Sequence, residues 1–233
     1  MALNKFRSNK KFKKRFLLTE LEKHSPTAEQ FRTLRTNMQF IQIDKRLKTI
    51  VVTSPLPGEG KSTTAANLSI VLAQQEKRVL LIDTDLRKPS VHHTFKLSNS
   101  TGFTNVVTNQ VGIKNAVKRT SLANLFILTS GPLPPNPSEL LASNRMKRFL
   151  EEIKKQYDYI IFDAPPVNAV TDGLILASYV DGTILVIRNG KTEIDPAKKA
   201  VNAVKKVEGN LLGAVLNDCP EVNSHYSYYY EKE

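Results

Sequence analysis

Two glycines followed by a lysine and a serine, in the stretch PGEGKST, are the residues of this chain best suited to hold a phosphate group. Gly58 and Gly60 let the backbone approach a ligand closely. Lys61 would reach the β- and γ-phosphates of a nucleotide, and the Ser62 hydroxyl would bind Mg²⁺. The strict pattern for such a loop has a further glycine where this chain has Pro55. The residues predicted to contact the nucleotide are Pro57, Gly58, Glu59, Gly60, Lys61, Ser62 and Thr63.

Three aspartates supply the carboxylates that a nucleotide site needs. Asp83 and Asp85 follow the apolar run VLLI, and Asp163 follows the apolar run YIIF. Wholly apolar runs are typical of parallel strands covered on both faces, and ligands bind open α/β sheets at the carboxyl edge of the strands. The alternative is a glycine- and proline-containing turn that binds nothing. Three carboxylates at the same edge as the lysine argue against it.

The elements that would position these side chains alternate between apolar strands and helices. This pattern predicts a single doubly wound α/β domain, with a mostly parallel sheet and helices on both faces. Strands are predicted at residues 50–52, 79–82, 125–129, 159–162, 183–187 and 211–216, with a loop-rich segment at 88–118. Helices are predicted at 26–41 with Ser25 as N-cap, at 62–75, at about 137–156 with Asn136 and Glu139 at its capped start, and at 195–207.

The composition favours a reducing, cytoplasmic location. Cys219 is the only cysteine of the 233 residues, so no disulfide framework is expected. No apolar run approaches the roughly 18 residues that would span a bilayer, and no signal peptide is predicted. We expect a basic arm at 1–24, an N-terminal helix region at 25–47, the nucleotide-binding domain at 48–218 and a tyrosine-rich tail at 219–233.

The net charge of +12 suggests an acidic partner for the basic arm. Interleaved lysines, arginines and phenylalanines at residues 5–16 would bind anionic lipid headgroups at about 1 kcal/mol per basic residue. A solvated arm without a partner is an equal alternative. Nucleic acid is not expected as a partner, because the chain shows no module for reading bases.

Charged residues recur every third position on the N-terminal helix. Glu29, Arg32 and Arg35 fall largely off its apolar stripe. A solvated face with one ion pair explains this spacing, and a contact face for another subunit is the sharper alternative.

Four of the seven tyrosines, Tyr226, Tyr228, Tyr229 and Tyr230, stand in the polar C-terminal segment. Buried tyrosines are expected among apolar neighbours, and this segment has none. Such a cluster suits either an aromatic docking tail or a tail of phosphate acceptors.

These features together resemble the bacterial tyrosine kinases of capsule and exopolysaccharide synthesis. The resemblance rests on five motifs: PGEGKST in place of a Walker A motif, LLIDTDLR as Walker A′, IIFDAPP as Walker B, the E-x-x-R-x-x-R pattern and the tyrosine cluster. The resemblance implies ATP and Mg²⁺ as cofactors, protein tyrosines as substrates, autophosphorylation of the tail and a ring-like homo-oligomer. It also implies a transmembrane activator that controls polysaccharide chain length, a cognate tyrosine phosphatase, and a peripheral location at the inner face of the membrane.

The resemblance assigns roles to the aspartates. One of Asp83 and Asp85 would accept the tyrosine proton, and both are candidate metal ligands beside Ser62 and Asp163. Sequence does not separate the roles of Asp83 and Asp85. Arg87 would support this cluster, and Asn217, at the end of the last strand, is predicted to contact adenine.

The related partitioning and septum-placement ATPases are the alternative family, in which ATP hydrolysis controls assembly. They carry a signature lysine at the position of Leu56 and lack a tyrosine tail. A nucleotide-binding module without chemistry is a third alternative, which would leave the three aspartates without a role.

Overall fold

A seven-stranded sheet forms the centre of the protein, which a computed structural model describes at residues 25–41 and 47–220. The strands are β1 Thr49–Thr53, β2 Val79–Asp83, β3 Lys118–Arg119, β4 Leu125–Leu128, β5 Tyr159–Asp163, β6 Gly182–Arg188 and β7 Leu211–Asn217. They lie in the order β3-β4-β2-β5-β1-β6-β7, and within the described residues only the β3–β4 pair is antiparallel. The predicted doubly wound, mostly parallel sheet is confirmed.

Helices cover both faces of this sheet. They are α1 Pro26–Ile41, α2 Lys61–Ala73, α3 Val91–Thr94, α4 Phe103–Val107, α5 Ile113–Ala116, α6 Pro137–Ala142, α7 Asn144–Lys154, α8 Asp172–Ala177 and α9 Ile194–Lys206. Alternate residues of β1 point to opposite layers: Val51 packs with α4 and α7, whereas Ile50 and Val52 pack with α2. Because both layers are apolar, all five residues of β1, β2 and β5 are buried. This double burial is why these strands read as continuous apolar runs.

The strand register brings the predicted carboxylates to one edge. Asp83, the last residue of β2, pairs with Asp163, the last residue of β5. Asp163 also lies beside Val52 of β1, one residue before that strand ends. The carboxyl ends of three parallel strands therefore converge where the glycine-containing loop begins.

The prediction of one long helix at 137–156 is wrong, because the segment forms two helices, α6 and α7, with a break at Ser143. Ser143 adopts an extended conformation that separates α6 from α7, and its hydroxyl accepts a hydrogen bond from the Met146 N–H at 3.2 Å. Serine is a strong N-cap and competes with the helix for backbone hydrogen bonds, so it starts a second helix. The predicted start of this helix is confirmed, with Asn136 at the N-cap, Pro137 next and Glu139 in the first turn, although the Asn136 side chain donates to Glu139 at 3.2 Å and makes no cap hydrogen bond to the backbone.

The other element predictions hold to within one or two residues, and the segment at 88–118 contains three short helices. Ser25 caps α1 as predicted, since its hydroxyl accepts from the Ala28 N–H at 3.2 Å.

Gly102 and Gly112 offer a matched test of packing at the start of α4 and α5. A Cβ added at Gly102 would lie 2.1 Å from the carbonyl oxygen of Thr129 and 2.4 Å from the nitrogen of Gly131, whereas one at Gly112 would meet no atom of the described residues within 4 Å. We expect Gly102→Ala to lower the free energy of unfolding by about 1–3 kcal/mol, as overpacking does. Gly112→Ala should stay within about 0.5 kcal/mol of wild type. Urea unfolding measures both, and equal effects would contradict this packing.

Candidate active site

The loop between β1 and α2, residues 54–60, is built to hold an anion. Gly58 and Gly60 have φ values of +83° and +97°, a left-handed conformation that is strained for residues with a side chain. The Thr64 N–H is the first to bond back within the helix, to the Gly60 carbonyl at 2.9 Å. The N–H groups of residues 61–63 have no acceptor one turn earlier in the helix, because these residues form the first turn of α2. They provide the partial positive charge that attracts phosphate.

Lys61 occupies the centre of the site. Its ammonium lies 2.8 Å from Asp85 Oδ2, 3.1 Å from Asp163 Oδ1 and 3.3 Å from the Ser62 hydroxyl. The Lys61 side chain is 11% exposed. Burial lowers the pKa of Lys61, but the charges of Asp163 and Asp85 outweigh burial and hold that pKa above its ordinary value. The lysine is therefore a fixed positive charge at the head of the loop.

Asp163 has spare capacity to bind a cation. It is fully buried, and its Oδ2 has no hydrogen-bond partner among the described residues. Burial raises the pKa of Asp163, whereas Lys61 and a hydrogen bond from Ser62 act in the opposite direction. One lysine balances only part of the charge of Asp83, Asp85 and Asp163. Carboxylate and hydroxyl oxygens are the ligands that Mg²⁺ prefers, so these residues fit the ion.

Asp83 differs from Asp85 in what it contacts. The Asp83 Oδ2 accepts the N–H groups of Ser90 at 2.8 Å and Val91 at 2.9 Å, while its Oδ1 accepts from the Asp85 N–H at 3.3 Å. Burial and the charge of Asp163 nevertheless raise the pKa of Asp83 to about 7. Asp85 therefore contacts the lysine directly, whereas Asp83 anchors the segment that carries Asp85.

Arg87 forms an ion pair with a residue that the sequence analysis missed. Its Nε and one terminal nitrogen lie 3.0 Å and 3.2 Å from the two oxygens of Asp172. Asp172 is fully buried at the start of α8. An aspartate before the apolar run GLILA was a visible helix-start signal, but nothing in the sequence linked it to Arg87.

The far ends of β6 and β7 also reach the loop. Asn217 donates from its amide nitrogen to the Glu59 carbonyl at 2.9 Å, so this side chain contacts the loop itself, and its contact with adenine stays a prediction. Arg188 and Thr192, both missed by the sequence analysis, contact Gly58 and Glu59. Their sequence distance from the loop hid this contact.

The predicted oligomerisation residues lie away from the site, on α1. Arg32 pairs with Glu29 at 2.6 Å. Arg35 donates at 2.9 Å to the Val71 carbonyl near the end of α2, and its Nε is buried without a partner among the described residues. Arg35 is therefore partly engaged with its own chain.

Two predicted regions fall outside the described residues: the basic arm at 1–24 and the acceptor tyrosines Tyr226, Tyr228, Tyr229 and Tyr230. Within 25–41 and 47–220, no helix has both the length and the apolar character needed to cross a bilayer.

Comparison with known proteins places this geometry in a family. The family model AAA_31, described as an AAA domain, matches residues 47–215. Tyrosine-protein kinase YwqD of Bacillus subtilis (strain 168) is 47% identical over 100% of this chain and 98% of its own. Putative tyrosine-protein kinase CapB of Staphylococcus aureus is 40% identical over 90% and 92%. The crystal structure of the chimerical protein CapA2B2 superposes with a TM-score of 0.85 at 36% identity, covering 88% of this chain and 90% of that one.

The raised pKa of Asp83 predicts a pH dependence of stability. Below pH 7 the folded protein keeps a proton on Asp83 that an unfolded aspartate, with a pKa near 3.8, has lost. The free energy of unfolding should therefore fall as pH rises from about 4 to 7, by at most about 1.4 kcal/mol per unit. Asp83→Asn should make this slope shallower, and the part due to Asp163, whose pKa burial also raises, should remain. Urea unfolding in chelator without nucleotide measures both curves.

The control for that measurement is Asp195→Asn, at an exposed position of α9. Its stability should follow the wild-type pH curve. A wild-type curve parallel to that of Asp83→Asn across this range would contradict the assignment.

Proposed function

The chain belongs to the family of bacterial tyrosine-protein kinases, and from that premise we propose that it transfers the γ-phosphoryl group of ATP to tyrosines of its own C-terminal tail. The observation that carries this proposal is the Lys61 ammonium held between Asp85 and Asp163 at the head of the loop. One cation and two carboxylates meet there at the first turn of a helix. Phosphoryl transfer needs this combination of positioning and charge stabilisation.

The loop amides and Lys61 bind the phosphates of ATP. Lys61 exchanges its carboxylate partners for phosphate oxygens, so that its charge stabilises the transferring group. Ser62 and Asp163 are the residues that would hold Mg²⁺, and Asp83 and Asp85 remain further candidate ligands. When bound, the ion neutralises negative charge on the phosphate oxygens.

Asp85 is the favoured proton acceptor. The phenol oxygen attacks the γ-phosphorus, the bond to the β-phosphate oxygen breaks, and the phenol proton passes to a carboxylate. A phenol has a pKa near 10, so partial proton removal in the transition state suffices. Asp85 Oδ1 accepts the Lys88 N–H at 3.0 Å and its Oδ2 lies against Lys61, so Oδ2 becomes free when Lys61 turns to the phosphates, whereas both oxygens of Asp83 accept backbone N–H groups. Arg87, two residues after Asp85, is fixed by its ion pair with Asp172 and so ties this segment to the start of α8.

The direction of the sheet supports the tail as substrate. β7 runs parallel to β6, and β6 runs parallel to β1, so β7 ends at the same edge as the loop. The next residue, Asp218, pairs with Arg188, which in turn contacts Gly58. The described chain therefore runs, at Asp218, along the edge that carries the phosphate loop, which supports the segment after it as a substrate of this site.

Assembly into a ring would place each tail beside a neighbour's site. Arg32, Arg35 and Glu29 of α1 are the proposed contacts, and the side-chain exposure of Glu29 (53%) and Arg32 (29%) supports this. Phosphorylation of Tyr226, Tyr228, Tyr229 and Tyr230 adds about −1.5 to −2 charges at each position. This charge repels the bound nucleotide, so the modified tail leaves and the ring dissociates.

The resemblance supports a place in capsular or exopolysaccharide synthesis. In that setting a transmembrane activator recruits the kinase to the inner face of the membrane, a tyrosine phosphatase reverses the modification, and the basic arm binds anionic lipid. The segments at 1–24, 25–47, 48–218 and 219–233 then serve as membrane arm, assembly helix, kinase domain and acceptor tail.

A mixing experiment tests the proposed transfer between subunits. An active chain truncated after Asn223 lacks the four acceptors, and a Lys61→Met chain keeps them but lacks the charge needed for transfer. With labelled ATP, phosphotyrosine should appear on the Lys61→Met chain only when the truncated chain is present. Phosphoamino-acid analysis and tryptic mapping of the tail measure the product.

The control is a Lys61→Met chain in which the four tail tyrosines are phenylalanine, and circular dichroism checks that both acceptors are folded. Release of free phosphate without labelled protein would favour the partitioning-type ATPase. Labelling of wild-type chains at a rate independent of concentration, with the Lys61→Met chain unlabelled, would contradict transfer between subunits.

A further inference from the structure

The turn at residues 188–192 braces the phosphate loop, and the proposed mechanism does not use it. This turn joins β6 to α9 and is closed by a hydrogen bond of 3.0 Å from the Thr192 N–H to the Arg188 carbonyl. Gly190, at φ +66°, supplies its left-handed residue. The turn is therefore a hydrogen-bonded element that contacts residues 58 and 59 of the loop.

Glu59 is an unexpected residue in an anion-binding loop, because a carboxylate there opposes a phosphate. Its side chain is directed into the protein: Glu59 is 4% exposed, and its Oε2 accepts the Leu56 N–H at 2.8 Å. Its Oε1 accepts the hydroxyl of Thr192. Both carboxylate oxygens are thus occupied within the protein, and the two hydrogen bonds join the start of the loop to the turn.

The direction of the Thr192 hydrogen bond is fixed by its neighbours. Thr192 Oγ1 accepts the Arg188 N–H at 2.9 Å. Glu59 offers only acceptors, so the single hydroxyl proton of Thr192 points at the Glu59 carboxylate. Arg188 secures the same turn from its other end, through Asp218 at 2.6 Å and the Gly58 carbonyl at 3.3 Å.

We propose that Thr192 is a positioning residue for nucleotide binding, which it supports by holding the Glu59 carboxylate and so fixing the phosphate loop. This inference rests on the proposed function, because it assumes that the loop binds ATP. Without the hydroxyl, Glu59 loses one of its two anchors and its charge is free to turn towards the phosphates. The loop amides are then less well placed, and the carboxylate repels the ligand.

Three threonine variants test the inference. Thr192→Val removes the hydroxyl, Thr192→Ser keeps it, and Thr183→Val removes a buried hydroxyl on β6 that has no hydrogen-bond partner among the described residues. In the presence of Mg²⁺, Thr192→Val should bind methylanthraniloyl-ATP roughly tenfold more weakly than wild type. This is the change in affinity expected when a hydrogen bond to a charged group is lost. Thr192→Ser should restore most of the affinity, and Thr183→Val should bind like wild type.

A second readout needs no nucleotide. In Thr192→Val, hydrogen exchange of the Leu56 amide should quicken, because its acceptor, the Glu59 carboxylate, is held less firmly; in Thr183→Val it should match wild type. If Thr192→Val binds nucleotide as tightly as wild type and its Leu56 amide exchanges at the wild-type rate, the inference about Thr192 is overturned while the proposed function stands. An equal loss in Thr183→Val would also overturn the inference, since general destabilisation would then be the cause. A wild-type protein that does not bind the fluorescent nucleotide would overturn the proposed function and this inference together.

Discussion

The ion-pair cluster of Lys61 with Asp85 and Asp163 is the interaction on which the rest of the site depends. A buried carboxylate without a counter-charge costs several kcal/mol, so the fully buried Asp163 stays ionised only with the lysine or a metal ion beside it. The lysine in turn needs both carboxylates to remain charged where it is 11% exposed. Each partner is tolerated at the sheet edge only because the other is present.

The parallel sheet supplies this cluster from three distant segments. Lys61 follows β1, Asp85 follows β2 and Asp163 ends β5, and these strands are adjacent in the order β2-β5-β1. Both faces of these strands pack in apolar layers, so the close fit of side chains in the two layers fixes their register. Packing in the two apolar layers therefore determines distances within the site, and the β6 and β7 ends hold the loop from the opposite side.

The sequence was sufficient for the parts of the structure that depend on local patterns. The strands read as apolar runs, and Gly58, Gly60 and Lys61 stand in a recognisable loop, so the sheet and the meeting of Lys61 with the aspartates were predictable. Ser143 was missed because a single N-cap residue is a weak signal inside a long stretch whose other residues follow a helical pattern. Thr192, Arg188 and Asp172 were missed because their partners lie about 130, 130 and 85 positions away in sequence, and no periodicity encodes such contacts.

The distinction between Asp83 and Asp85 illustrates the same limit. Both belong to one short motif and both accept backbone N–H groups of the following turn, yet only Asp85 also contacts the lysine. Only the path of the chain after β2 separates them. The structure thus gives two chemically identical side chains, two positions apart, different surroundings. The proposal that Asp83 anchors the segment and Asp85 accepts the proton follows from that difference.

The most direct test of the central claim is a double-mutant cycle of Lys61→Met and Asp163→Asn, followed by urea unfolding in chelator without nucleotide. If the ammonium and the carboxylate stabilise each other, Lys61→Met should be clearly destabilising alone, and adding Asp163→Asn should recover part of the loss. The expected coupling energy is at least about 1 kcal/mol, as for residues in one charge network. A coupling energy of zero, with additive single effects, would contradict the claim that this ion pair holds the site together.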